Sequence, residues 1–305
     1  MLTYTEISKN KTYSVLLIFI FLLVIIGLGF VFSQVYNAPE FVLIAVVFSS
    51  VSAFISYFFS DKITLAISHA KEIDLKTQPQ LYQVVENLTI AAGLPMPRVY
   101  IIEDTAMNAF ATGRDPKHAV ICVTTGLLSR LDRTELEGVL AHELSHIGNY
   151  DIRFMTLVVV MVGVITLLAD WMVRFSLFGG KKRDSNDSGN GIFLIIGIIL
   201  AILSPIVATL IKLAVSRRRE FLADSSGALL TRYPEGLALA LEKIAADTEP
   251  LEAANKATAH LYIANPFKSN AAGENGKSST SWLANLFNTH PPIEERIKRL
   301  RQMGS

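Results

Sequence analysis

Apolar and polar positions fall into long blocks along this chain. Val15 to Phe32 is almost wholly apolar, and a second apolar run extends from about Phe41 to Phe59. Each is long enough to cross a bilayer or nearly so. Ser33 to Glu40 between them is a short loop without Lys or Arg, so the two runs predict a membrane hairpin. Lys9 and Lys11 precede the hairpin and Lys62 and Lys71 follow it, which places both of its ends in the cytoplasm. The first run is longer than the apolar stretch of a typical signal peptide, and no clear small-x-small cleavage site follows. It therefore reads as a retained anchor.

From about Asp61 to Arg153 the pattern is that of a globular domain. Gln80 to Ala92 has helical periodicity and stops at Gly93-Leu94-Pro95. Arg98–Glu103 and Ala119–Thr124 are β-branched and bounded by turn residues, as strands are. Asn108 to Gly113 lies between them, followed by a turn at Arg114–Lys117. Asp132-Arg-Thr-Glu135 has the form of a capping box that opens a helix. Phe154 to Ala169 is a third apolar run, interrupted by Asp170, Trp171 and Arg174. Lys181 to Gly191 is a linker, and Ile192 to Val215 a fourth run with a kink expected at Pro205.

Segments before residue 153 and after residue 216 must share a side of the membrane if they share a site. Two crossings between them satisfy this, and an interfacial or re-entrant third segment is the alternative. The basic residues Lys181, Lys182 and Arg183 run against the two-crossing reading. Helices are expected at about 217–230 and 234–247, then a Gly/Ser/Asn-rich loop at 268–281, and a last helix introduced by Pro291-Pro292. The expected division is a hairpin (1–60), the first part of a catalytic domain (61–153), a second hydrophobic pair (154–215) and the second part of that domain (216–305). The fold class is α+β, a small sheet carrying a long helix, with about four transmembrane helices.

Composition agrees. Hydrophobic residues make up 51% and charged residues only 18%, a balance that points to membrane spans. A net charge of +1 argues against a nucleic-acid binder. Cys122 is the single cysteine, so neither an internal disulfide nor a cysteine-based zinc site is available.

The chemistry concentrates in Leu140-Ala-His-Glu-Leu-Ser-His-Ile147. His142 and His146 are four residues apart and share one helical face, a spacing at which two imidazoles can hold one zinc ion. Glu143 can act as general base on a water whose pKa the metal lowers. The plain alternative is a helix with two incidental histidines, so a third ligand matters. Arg217-Arg-Arg-Glu-Phe-Leu-Ala-Asp224 supplies one: Glu220 completes a His2Glu site, and Asp224, four residues on, can hold the far nitrogen of a ligand histidine. Taken alone, that acidic pair would pass for a solvated surface feature. His69, His118 and His260 show no ligand spacing and read as ordinary residues.

In this order the motifs resemble the HtpX branch of the membrane zinc endopeptidases, a family that includes the CaaX prenyl protease and a mitochondrial relative. The resemblance covers nearly the whole chain: two N-terminal spans, Asn108-Ala-Phe-Ala-Thr-Gly113, the zinc helix, a second hydrophobic pair, Glu220, and Thr289-His-Pro-Pro292. It implies a mostly helical zincin-like (gluzincin) domain and one Zn2+ per chain. It also implies a bacterial inner-membrane, multi-pass protease, induced by stress, that cuts misfolded or damaged membrane proteins on the cytoplasmic side. Its partners would be membrane-protein substrates and the lipid bilayer, with no nucleic acid. By the same resemblance Asn108, with Ala109 and Phe110, would hold the substrate backbone as an edge strand. A turn asparagine is the bland reading of Asn108. His290 could donate to the oxyanion, or simply open the last helix.

Two other classes of function compete. A silent membrane adaptor or chaperone would keep the fold, and the intact Glu143 argues against it. A zinc transporter would carry its site within the spans, yet Asp170 and Lys212, the ionisable residues nearest the runs, have no histidine beside them.

Overall fold

The computed structural model describes residues 2–178, 217–254, 258–266 and 291–304. The predicted hairpin is present as α1 (Leu2–Tyr36) and α2 (Glu40–Ile67), which turn at Asn37–Pro39. Val15, Phe19, Leu23 and Phe30 of α1 and Leu43, Val47 and Phe54 of α2 face outward and are exposed. A helix apolar on its outer face as well as its inner one suits lipid rather than water. Two boundaries differ from expectation. The polar residues before the first run are helical, and α2 continues past Phe59 into the globular part. There Asp61 pairs with Arg98 at 2.5 Å and Leu65 packs beneath the sheet, so tertiary contacts prolong the helix.

The sheet is small and mixed. Its strands are β1 (Lys71–Ile73), β2 (Arg98–Ile102), β3 (Ala109–Gly113) and β4 (Ala119–Thr124), in the order β1-β2-β4-β3. β2 and β4 are parallel, while β1 on β2 and β3 on β4 are antiparallel. Alternate residues serve two cores. Val99, Ile101, Ala109, Ala111, Ile121 and Val123 face one, and Tyr100, Ile102, Phe110, Val120 and Cys122 face the other. Both faces are covered, which is why Val99–Ile102 of β2 and Ala119–Val123 of β4 run apolar without alternating.

The first core lies between the sheet and the helices α3 (Pro79–Ala92), α5 (Arg133–Gly148), α8 (Pro234–Ala246) and α9 (Ile293–Met303). Proline opens α3 and α8, and Gly93 in the left-handed region (φ 64°) closes α3. The short α4 (Thr125–Arg130) follows β4, and α7 (Arg217–Thr231) lies against α5.

The third apolar run is α6 (Asp151–Phe178), which continues through Asp170. Met155 and Val159 lie under the sheet, while Phe154, Leu157, Val158 and Met161 meet α1. Among the described residues, three helices are long and apolar enough to cross a membrane. Their most apolar stretches are 22%, 22% and 67% buried for α1, α2 and α6, so α6 is the one enclosed by protein. The linker at 181–191, the fourth run at 192–215 with Pro205, and the loop at 268–281 lie outside the described residues.

Candidate active site

Helix α5 carries the site, and its start is fixed locally. The Asp132 carboxylate accepts from the Glu135 backbone N–H at 2.9 Å, and the Glu135 carboxylate accepts from the Asp132 N–H at 2.8 Å. This capping box satisfies two of the helix's first donors. Further along, Val139 to Leu144 are all buried, so α5 shows no polar stripe. Gly227 of α7 lets that helix come close: a Cβ there would lie 3.0 Å from the His142 backbone nitrogen.

The approach of α7 brings Glu220 to the two histidines. His142 Nε2 and His146 Nε2 are 3.2 Å apart, and the Glu220 oxygens lie 3.8 Å from the first and 3.6 Å from the second. Tetrahedral zinc with bonds of about 2.0–2.1 Å separates its ligand atoms by roughly 3.4 Å. The donor set therefore fits such an ion in both chemistry and spacing. Among the described residues, His142, His146 and Glu220 form a buried group that could hold a metal ion.

Each histidine meets a carboxylate on its other nitrogen. His142 Nδ1 is 3.0 Å from Asp224 Oδ1, and His146 Nδ1 is 2.9 Å from Asp151 Oδ2. This network assigns the ring protons to Nδ1 and leaves both Nε2 lone pairs toward the metal position. Asp224 is gripped in turn by Arg296 of α9, whose Nε and Nη2 reach the two carboxylate oxygens at 2.9 and 2.7 Å. Arg296 is fully buried, lies 3.7 Å from Glu220, and donates from Nη1 to the Ile263 carbonyl. Burial pushes the Asp224 carboxyl up, but Arg296 and His142 outweigh it and hold it at about 2.

Glu143 is 2% exposed, and burial pushes its carboxyl up to about 7. The Glu220 charge adds to the rise, while His146, Arg296 and the Ala111 backbone N–H oppose it. Burial lowers His142. For His146 burial works in the same direction, yet Asp151 and Glu220 outweigh it and raise the ring to about 9.

β3 is the outer strand beside α5. Asn108, just before it, grips the chain's own backbone: its Nδ2 donates to the Ala264 carbonyl at 3.1 Å, and its Oδ1 accepts from the Ala264 N–H at 3.4 Å. The Ala109 carbonyl accepts from the Ile263 N–H at 2.9 Å. Phe110 turns to the far face of the sheet, with its ring 5.1 Å from that of Tyr262. His290 lies outside the described residues. Asp151 and Arg296 went unremarked in the sequence. Arg296 did leave a signal, for it sits on the buried stripe Ile293, Arg296, Ile297, Leu300, where only apolar residues are expected. Asp151 follows a break at Tyr150 (φ 61°) and leaves no such pattern.

The sequence model of peptidase family M48 matches residues 75–304. A protease HtpX homolog of Dictyoglomus turgidum is 46% identical over 300 residues, covering 98% of this chain and 93% of its own length. A protease HtpX homolog of Thermoanaerobacter pseudethanolicus is 47% identical over 299 residues, covering 97% and 95%. The chain is also similar to the crystal structure of Ste24p from S. mikatae, with a TM-score of 0.51 and 18% identity. That match covers 89% of this chain and 61% of the longer one, and it concerns the fold alone.

Proposed function

The chain belongs to peptidase family M48 and is a membrane metalloprotease, and from that premise we propose a zinc-dependent endopeptidase that cuts misfolded or damaged membrane proteins on the cytoplasmic side. The observation that carries the reading is the meeting of His142, His146 and Glu220 beside a buried Glu143. One Zn2+ on His142, His146 and Glu220 would polarise the scissile carbonyl and acidify the attacking water. Glu143 is the general base: it takes the water's proton and passes it to the leaving amine. Burial favours its neutral form, so it holds the transferred proton readily between the two steps. Asp224 and Asp151 keep the two imidazoles in the tautomer that leaves Nε2 free.

Asn108 and Ala109 are assigned the substrate backbone, with Phe110 fixing their strand from behind. The grip on residues 263 and 264 supports this, because the groups held are backbone N–H and C=O, which any extended peptide offers. A substrate would take the place of that segment on the strand edge. His290 is assigned the oxyanion; Pro291 right after it is buried, and the chain runs on to Arg296 in the site. The hairpin's exposed apolar faces would tether the site at the bilayer, where effective concentration favours membrane substrates. We assign the protein to the bacterial inner membrane, with residues 61–153 and 216–305 forming one cytoplasmic catalytic domain.

The test is cleavage of a model membrane protein by the detergent-purified chain. Wild type is compared with Glu143→Ala, each stripped by chelator and then given zinc. Zinc-restored cleavage in wild type, with loss of about 10²–10⁴-fold in the variant, is the expected result. Zinc bound one per chain without cleavage in either protein would overturn the enzyme reading.

A further inference from the structure

The first turns of α1 lie against the active site and bury Glu6, Asn10 and Ser14. Asn10 is 2% exposed, and its amide is used on both sides. Its Nδ2 donates to Asp151 Oδ1 at 2.6 Å and to the Asn149 carbonyl at 3.0 Å. Its Oδ1 accepts from Arg219 Nη1 at 3.2 Å. The other oxygen of Asp151 faces His146 Nδ1 at 2.9 Å. Arg219 immediately precedes Glu220, and its guanidinium lies 5.2 Å from the Phe154 ring.

The chemistry of this position calls for an amide. A carboxylate on one side needs a donor, and a guanidinium on the other needs an acceptor. Leucine would leave both buried partners short of a hydrogen bond, and aspartate would set two carboxylates against each other. Resting on the reading of His146 and Glu220 as metal ligands, we propose that Asn10 is a positioning residue of the metal centre. It holds Asp151 in place and Asp151 fixes the His146 ring; Arg219, whose Nε also lies 3.9 Å from Asp151 Oδ1, closes the same group around that carboxylate. The N-terminal membrane helix is then part of the support of the site as well as an anchor, and metal affinity depends on its docking.

The experiment measures Zn2+ affinity of the full-length chain in detergent, by competition with a chromophoric chelator, for wild type, Asn10→Ala, Asp151→Ala and the double variant. Thr12→Ala, an exposed change on the same helix, is the control. Asp151→Ala is expected to weaken zinc binding about 10–100-fold, as loss of a carboxylate behind a ligand histidine does. Asn10→Ala should weaken it about fivefold, the net worth of the one hydrogen bond it makes to Asp151. The double variant should bind no worse than Asp151→Ala alone, because the asparagine acts through the aspartate. A role in folding alone would lower the thermal stability of the metal-free protein without this non-additivity. Zinc bound equally tightly by wild type and Asn10→Ala, or effects that add in the double variant, would overturn the proposal while leaving the peptidase reading intact. Wild type that binds no zinc would sink the ligand assignment, and the relay with it.

Discussion

Arg296 and Asp224 show how much of this site rests on residues that stand behind its histidines. Both are buried, and they are joined by two hydrogen bonds behind His142. Replacing Arg296 with methionine keeps the bulk but leaves the Asp224 charge buried without its partner. Such a break costs about 3–5 kcal/mol, so Arg296→Met should lower the denaturant midpoint sharply, as read by circular dichroism. Zinc affinity should fall with it, since Asp224 would no longer be held on His142. His142 and His146, like Glu220 and Asp224, could be picked out in the sequence because each pair is four residues apart on one face of its helix, and Glu143 because it follows His142 in the same motif. The partners of Arg296 and Asp151 could not be, because each reaches the site from another element; Arg296 stands out only as a charge on an apolar stripe, which does not say what it meets.

At the scale of elements, the site depends on how closely α5 and α7 approach. Gly227 faces the backbone of His142, where a Cβ would stand 3.0 Å from nitrogen and 3.2 Å from the Ala141 carbonyl carbon. Gly227→Val therefore has to push the helices apart or distort α7, at about 1–3 kcal/mol. Because Glu220 rides on α7, the same change should weaken zinc binding measured by chelator competition, even where circular dichroism shows the helices retained. Helix ends were legible where they carry their own chemistry. The Asp132–Glu135 box, Gly93 after α3, and the prolines that open α8 and precede α9 each act within a few residues. β1, the short α4 and the helical first turns of α1 were not, because their stability comes from partners distant in the chain. β1, for example, is three residues held by pairing with β2.

Across the whole molecule, the sheet joins two environments. One face packs on the catalytic helices, and the other lies over α6 and the end of α2, which lead to the apolar hairpin. The site draws residues from α5, α6, α7 and α9, and an ion on His142, His146 and Glu220 would tie α5 to α7. Zinc at a thousand times its dissociation constant would stabilise the fold by about 4 kcal/mol. Chelation should accordingly lower the melting temperature of wild type, while His146→Ala should melt alike with and without zinc. The membrane hairpin, the strands β2 and β4, the helix of His142 and His146, and the spacing of Glu220 and Asp224 can all be read from residue order alone. All of these depend on periodicity, capping or continuous apolar runs, which are properties of neighbours in the chain. The enclosure of α6 by protein, the grip of Asn108 on residue 264, and the place of Asp151 and Arg296 behind the histidines come from packing between elements. Those facts depend on which surfaces bury one another, and burial is settled between elements, not within them.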